Sequence, residues 1–264
     1  MKTWIPDARK FAYLNWKQVE ALPKDKTLLV LPTGAIEQHG HHLPLATDTL
    51  ISNLLLGRAL QLLPVDVHIY ALETICYGKS NEHIGFPGTM TLSAATYMAV
   101  MRDIGASVAA AGIKKLLLFN THGGNSALND VMARDLRAEF GLRTFHMSGG
   151  AGAKLDGVAP QEAKYGFHAG EVETAWLLAA TPELVDTSAY TVNYIARVEE
   201  NNVLSPENGA VNFAWLTRDI SPSGVLGDPR PATAENGERW IAACAEKAAA
   251  ALMAAYAYEN HYKP

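Results

Sequence analysis

The sequence predicts an α/β protein built on a mostly parallel sheet covered by helices on both faces. Three observations carry that expectation. Short apolar runs alternate with longer amphipathic ones along the whole chain, the pattern of strands joined by crossover helices. Of the 264 residues, 48% are hydrophobic and 19% charged, enough apolar surface for a substantial core. The densest polar clusters stand directly after strand candidates, and in open parallel sheets ligands bind outside the carboxyl ends of the strands.

Taken in order, residues 27–31 (TLLVL) read as a buried strand and 48–63 as a helix, with Thr47 or Asp48 near its cap. Residues 67–72 form a second strand candidate. Residues 93–111 read as a helix, and Ser93 is a good N-cap because its hydroxyl can accept from an unpaired first-turn N–H. After Gly112, residues 114–119 (KKLLLF) read as another buried strand. A helix over 126–140 closes at Gly141, a strand covers 142–147, and a helix covers 171–180. The run 234–258 is a long alanine-rich helix, too short and alanine-rich in its apolar part to span a bilayer. Residues 149–153 (GGAGA) and 221–233 are turn-rich and could border a site. There is no internal repeat, long linker or low-complexity tract, so one domain is expected over 1–264.

Composition narrows the function. With 22 basic and 27 acidic side chains the formal charge is −5, which argues against a nucleic-acid partner needing a basic face. The amount of apolar surface argues against disorder. The first ten residues lack an apolar signal segment, so a cytoplasmic location is expected, with Cys76 and Cys244 as reduced thiols. No P-loop, GxGxxG fingerprint or GxSxG elbow is present.

Four clusters carry possible chemistry. Glu37-Gln38-His39-Gly40-His41-His42, followed by Asp48, offers carboxylates and imidazoles suited to Zn²⁺, Mn²⁺ or Fe²⁺; a solvated polar loop is the plainer alternative. Asn120-Thr121-His122-Gly123-Gly124-Asn125 would project His122 from the sheet edge, or be only a tight strand-to-helix turn. In His168-Ala169-Gly170-Glu171-Val172-Glu173 the two glutamates are favoured by the positive helix N-terminus, or one binds metal while the other orients a ligand or histidine. Residues two apart on a helix diverge by about 200°, so both cannot serve one metal. The loop 77–89 holds Ser80, Glu82 and His83; it could contact substrate, with His83 read as an ordinary hydrogen-bonding loop residue.

Together the stretches 31–49, 77–92, 120–125 (NTHGGN), 168–175 (HAGEVETA) and 224–237 resemble the creatininase (creatinine amidohydrolase) family over most of residues 25–250. The resemblance implies a three-layer α/β/α sandwich, a two-metal hydrolase and a homo-oligomer, often a hexamer. It also implies that Glu37 and His122 hold one metal, His39 the other, and that Asp48 bridges both. Creatininases proper look to carry a tyrosine and a metal-binding glutamate after the metal histidine, where this chain has Gly123 and Gly124. Glu171 is therefore expected to complete the second site. The tryptophan that closes over creatinine is also missing from residues 164–167, which argues against creatinine as substrate.

The resulting expectation is a metal-dependent amidohydrolase cleaving a C–N bond of a small cyclic or linear amide. Two divalent cations, Zn, Mn or Fe, serve as cofactors, and no nucleic acid or membrane partner is involved. His168 acts as the proton donor, Glu173 orients that histidine or a substrate N–H, and Ser80, Glu82 and Asn125 contact substrate. The alternative is a hydrolase or isomerase of a cyclic ketone, lactone or keto-sugar. A non-catalytic metal-binding protein is disfavoured because Glu37, His39, Asp48, His122 and Glu171 are all present.

Overall fold

The computed structural model describes residues 1–195, 203–206 and 210–259. A capped first turn opens the chain's helices: Asn15 accepts from the Gln18 N–H while Gln18 returns the bond, starting α1 (Trp16–Ala21). The central sheet then forms from β1 (Leu28–Thr33), β2 (Ile69–Ala71), β3 (Lys115–Asn120) and β4 (Arg143–Ser148). Its order is β2-β1-β3-β4 and every pairing is parallel. Both central strands are buried along their full length, as the unbroken apolar runs require of a sheet covered on both faces. The edge strand β2 is three residues long, shorter than the apolar run that predicts it.

Helices α2 (Thr47–Gln61), α6 (Glu171–Ala180) and α8 (Ala234–Ala257) pack on one face, where Leu28, Val30, Leu55 and Ile241 share one core. The other face is covered by α3 (Ala94–Ala110) and α4 (Ser126–Phe140), with Leu29, Leu31, Tyr97 and Leu136 in a second core. Alternate strand residues thus feed opposite cores, giving three layers. Ser93 caps α3 by accepting from the Thr96 N–H, and Gly141 ends α4 in the left-handed conformation. The short helices α5 (Pro160–Tyr165) and α7 (Thr217–Ile220), and a two-residue strand pair β5 (Leu204–Ser205) and β6 (Val211–Asn212), lie in the connections. No described helix is long and apolar enough to cross a membrane.

Register determines where the site lies. Thr33, Asn120 and Ser148 are consecutive neighbours across β1, β3 and β4. Everything emerging after those residues rises from one edge of the sheet. The Glu37–His42 loop and the His122 turn therefore meet there, and the start of α6 closes over them.

Candidate metal centre

Asp48 sits in the first turn of α2, buried, with its carboxylate between two histidines. Its Oδ1 lies 3.5 Å from His39 Nε2, and its Oδ2 lies 3.1 Å from His122 Nδ1. Glu37 Oε2 is 3.3 Å from the same His122 nitrogen, and Glu173 Oε2 is 3.9 Å from His39 Nε2. Bonds of about 2.0–2.2 Å in a tetrahedral shell put donor atoms about 3.3–3.6 Å apart. The spacings of 3.1–3.5 Å suit one cation among Glu37, Asp48 and His122 and a second between His39 and Asp48, with Glu173 Oε2 a little farther from His39 at 3.9 Å.

The state of these atoms fits that reading. Glu37 Oε2, His39 Nε2 and Asp48 Oδ2 are buried and have no hydrogen-bond partner. Leaving three such groups unpaired is costly unless something charged completes them. Lys79 O, which can only accept, lies 2.9 Å from His122 Nε2 and places a proton there, so Nδ1 is the nitrogen that a cation among the carboxylates would use. Likewise Glu37 O, 3.1 Å from His39 Nδ1, holds a proton there and turns His39 Nε2 to the carboxylates as the ligand atom. Backbone carbonyls thus aim both rings as ligands.

The electrostatics agree. Burial lowers the basicity of His39, but Asp48, Glu173 and Glu37 around it overcome this and push its pKa up to about 9. Burial opposes, and Glu37 and Asp48 outweigh, in raising His122. Burial would raise Glu37, yet His122 and His83 hold its carboxylate well below the usual range. Glu173 goes the other way: burial, with Asp48 and Glu37 adding to it, pushes it up to about 7 against the pull of His39. Without a cation, protons occupy this centre.

His168 stands above these groups, between His39 and His83, with ring centroids 4.2 and 4.3 Å away. Burial, then repulsion from His39 and His83, lowers its pKa well below the ordinary value. Its Nε2 is 2.8 Å from Gln38 O, and its Nδ1 is 3.9 Å from Glu37 Oε1. A neutral imidazole with a bare Nδ1 over a carboxylate is a proton acceptor.

Other expected residues are placed differently. Glu171 turns away from the metal centre: its Oε2 accepts from the Ala159 N–H, and its neighbours are Glu162 and Asp228. Two helical positions separated by one residue diverge, so only one of the pair can face His39, and Glu173 takes that place. Ser80 and Asn125 are fully buried behind the centre rather than facing its cavity. Ser80 Oγ is 3.3 Å from His122 Nε2. Asn125 accepts from the Lys79 N–H and donates to Gly34 O, tying three site loops together. Glu82 does line the cavity, with Oε1 3.5 Å from His122 Nε2. A side chain at position 124 has no room, since a Cβ on Gly124 would stand 2.1 Å from Lys79 O and 2.3 Å from Glu82 Oε1.

His83, read from sequence as a loop hydrogen-bonding residue, has its Nε2 3.2 Å from Glu37 Oε1. A single histidine in an irregular loop gives no periodic signal of such a role. The aromatic wall also comes from unexpected positions: Trp215 meets Phe167 edge-on at 5.5 Å, with Phe213 beside them. The cavity holds about 460 Å³, the size of a small-molecule site. A second cavity of about 400 Å³ shares His122, Gly123 and Glu173 with it and runs along the end of β4.

Comparison with known proteins agrees with this architecture. A family model described as creatininase, creatinine amidohydrolase, matches residues 12–252. The mycofactocin precursor peptide peptidase of Mycobacterium ulcerans is 34% identical over 227 residues, 84% of this chain and 82% of its own. The creatinine amidohydrolase of Pseudomonas putida is 31% identical over 258 residues, 90% of this chain and 94% of its own. A solved creatininase structure with Mn superposes with a TM-score of 0.74 at 26% identity, covering 95% of this chain and 99% of that one. The chain belongs to the creatininase (creatinine amidohydrolase) family of metal-dependent amidohydrolases.

Proposed function

We propose that this chain hydrolyses the C–N bond of an amide, linear or cyclic, at a dinuclear centre held by Glu37, His39, Asp48, His122 and Glu173. The carrying observation is Asp48, whose two oxygens face the ring nitrogens that two different histidines keep clear of backbone carbonyls. Bound there, divalent cations would supply polarisation of the amide carbonyl and a coordinated water of lowered pKa. Mn²⁺ and Zn²⁺ suit these donors, and so does Fe²⁺.

The residues of the chain do the rest. His168 Nδ1 takes the proton released by the attacking water and returns it to the leaving nitrogen, which otherwise departs as a poor anion. The Ala169 N–H donates to Glu173 Oε2 at 2.7 Å, fixing that carboxylate on the His39 side. Phe167, Phe213 and Trp215 form an apolar wall that excludes water, and Glu82 offers a carboxylate to a substrate N–H. Ser80 and Asn125, buried behind His122, brace it instead of touching substrate. The adjoining cavity along β4 leaves room for an extended acyl or peptide chain. The likeness to a peptidase at 34% identity supports such a substrate, and Gly123, Gly124 and the lack of a tryptophan at 164–167 argue against creatinine.

We further place the chain in the cytoplasm as a single-domain homo-oligomer, a hexamer by family likeness. The free thiols Cys76 and Cys244 suit a reducing compartment. The decisive assay offers Mn²⁺- or Zn²⁺-loaded protein a panel of creatinine, linear amides, short peptides, lactones and keto-sugars. Chelator-sensitive release of amine from a linear amide or peptide is expected. Turnover confined to lactones or keto-sugars would overturn the reading.

A further inference from the structure

We propose that Gln38 is a positioning residue that sets the Nε2–H tautomer of both His83 and His168. Its side-chain amide acts on His83 and its main-chain carbonyl on His168.

The orientation of the amide is settled by backbone groups. Gly40 N–H can only donate and lies 2.9 Å from Gln38 Oε1. Gly224 O can only accept and lies 3.1 Å from Gln38 Nε2. A flipped amide would set donor against donor and acceptor against acceptor at both ends. The pocket is shaped to this side chain, because a Cβ on Gly224 would stand 1.8 Å from Gln38 Oε1, and Gly224 has φ +85°. Gln38 is itself buried.

The tautomers then follow by counting protons. His168 Nε2 lies 2.8 Å from Gln38 O. A carbonyl only accepts, so this nitrogen carries the proton. Gln38 Nε2 is 3.0 Å from the same nitrogen. Were His168 to accept from it, its lone pair would oppose the carbonyl at the shorter distance. One amide proton goes to Gly224 O, and the other goes to His83 Nδ1 at 2.8 Å. His83 therefore accepts at Nδ1 and carries its proton on Nε2. Thr217 Oγ1, 2.9 Å from that Nδ1, has a hydroxyl that turns to suit.

Two consequences reach the site. His83 Nε2–H donates to Glu37 Oε1, 3.2 Å away, leaving Oε2 free to face His122 Nδ1. His168 presents a bare Nδ1 on the side of Glu37. One buried glutamine thereby aims a metal-binding carboxylate and a proton acceptor together. The consequences rest on the proposed amidohydrolase reading, but the tautomers do not.

The test uses the full chain without metal, ¹⁵N-labelled at histidine, at mildly alkaline pH where free imidazole is neutral. Two-bond ¹H–¹⁵N correlation spectra are assigned with His83→Gln and His168→Gln. Both rings should be protonated at Nε2 and bare at Nδ1. In Gln38→Glu the new carboxylate should draw the His83 proton to Nδ1, and Mn²⁺ affinity should fall about 10- to 100-fold, the usual effect of losing a group that orients a ligand. If that variant does not fold, Gln38→Met leaves Thr217 alone at Nδ1, and the single His83 tautomer should become a mixture. Protonation at Nδ1 of either ring in the wild-type protein would overturn the proposal. So would an unchanged single Nε2–H signal for His83 in a folded Gln38 variant. These spectra decide the matter even if no amide is ever turned over.

Discussion

Asp48 Oδ2 lies 3.1 Å from His122 Nδ1 and is buried without a hydrogen-bond partner. The opposite oxygen faces His39. Asp48→Asn keeps the size of the side chain and removes its charge, so both cations should be lost together. Metal analysis should find well under one equivalent per chain after dialysis, with turnover down at least about 10³-fold and melting temperature little changed. The backbone contact that holds this turn, Thr121 Oγ1 donating to Asp48 O at 2.8 Å, survives the change. Retention of one tightly held cation would show that Asp48 serves a single site.

Glu171 and Glu173 separate the two glutamates of the His168 motif. Glu173→Gln should weaken one of two cations at least about tenfold, since its Oε2 faces His39 Nε2. Glu171→Gln should leave both cations in place, because that carboxylate bonds to Ala159 near the start of α5. Calorimetric titration of each variant with Mn²⁺ decides the pair. The reverse outcome would return the second site to Glu171.

Which parts of this were legible in the sequence follows from what one-dimensional patterns encode. The strands and helices were readable because their apolar periods match their geometry, and the meeting of Glu37, His39, Asp48 and His122 at one sheet edge because the polar clusters follow β1 and β3. That Glu173 and not Glu171 faces His39 was not readable. Helical spacing says that the two diverge, but the rotation of α6 depends on its packing. Gly237 of α8 packs on the Ala175 carbonyl so closely that a Cβ there would stand 1.9 Å from it. Ser80 and Asn125 look like substrate contacts in sequence because they flank site residues. In space they lie behind His122, and only tertiary folding distinguishes front from back. His83 comes from a single 3₁₀ turn and Trp215 from an irregular connection, where no period marks which way a side chain points.

Metal loading should release protons. Without a cation His39 titrates near 9, against the cost of burial and through Asp48, Glu173 and Glu37. Glu173 titrates near 7, chiefly through burial. At pH 7 a cation must therefore displace the proton on His39, and cation affinity should rise as pH increases from about 6 to about 9. Titration with Zn²⁺ in two buffers of different ionisation enthalpy measures the number directly. At least one proton per chain is expected at pH 7. A proton count of zero would mean that His39 is already neutral and is not held by its carboxylates.

His168 separates proton transfer from metal binding. It lies close enough to Glu37 and Glu173 that a direct metal bond is the competing role for it. Its Nε2 is committed to Gln38 O, and its lowered pKa keeps it neutral at pH 7. A ligand removed should cost metal, whereas a proton carrier removed should cost rate alone. His168→Asn should thus keep two cations with unchanged affinity and lose about 10²–10⁴-fold in kcat, the usual size of a general acid–base contribution. The loss should shrink for anilide substrates, whose leaving group needs less protonation. The variant also loses ring stacking on His83 and a tilted ring contact with His39, so its melting temperature is measured alongside. A stable variant with near-normal turnover of alkyl amides would remove His168 from the reaction. A variant missing one cation would make it a ligand.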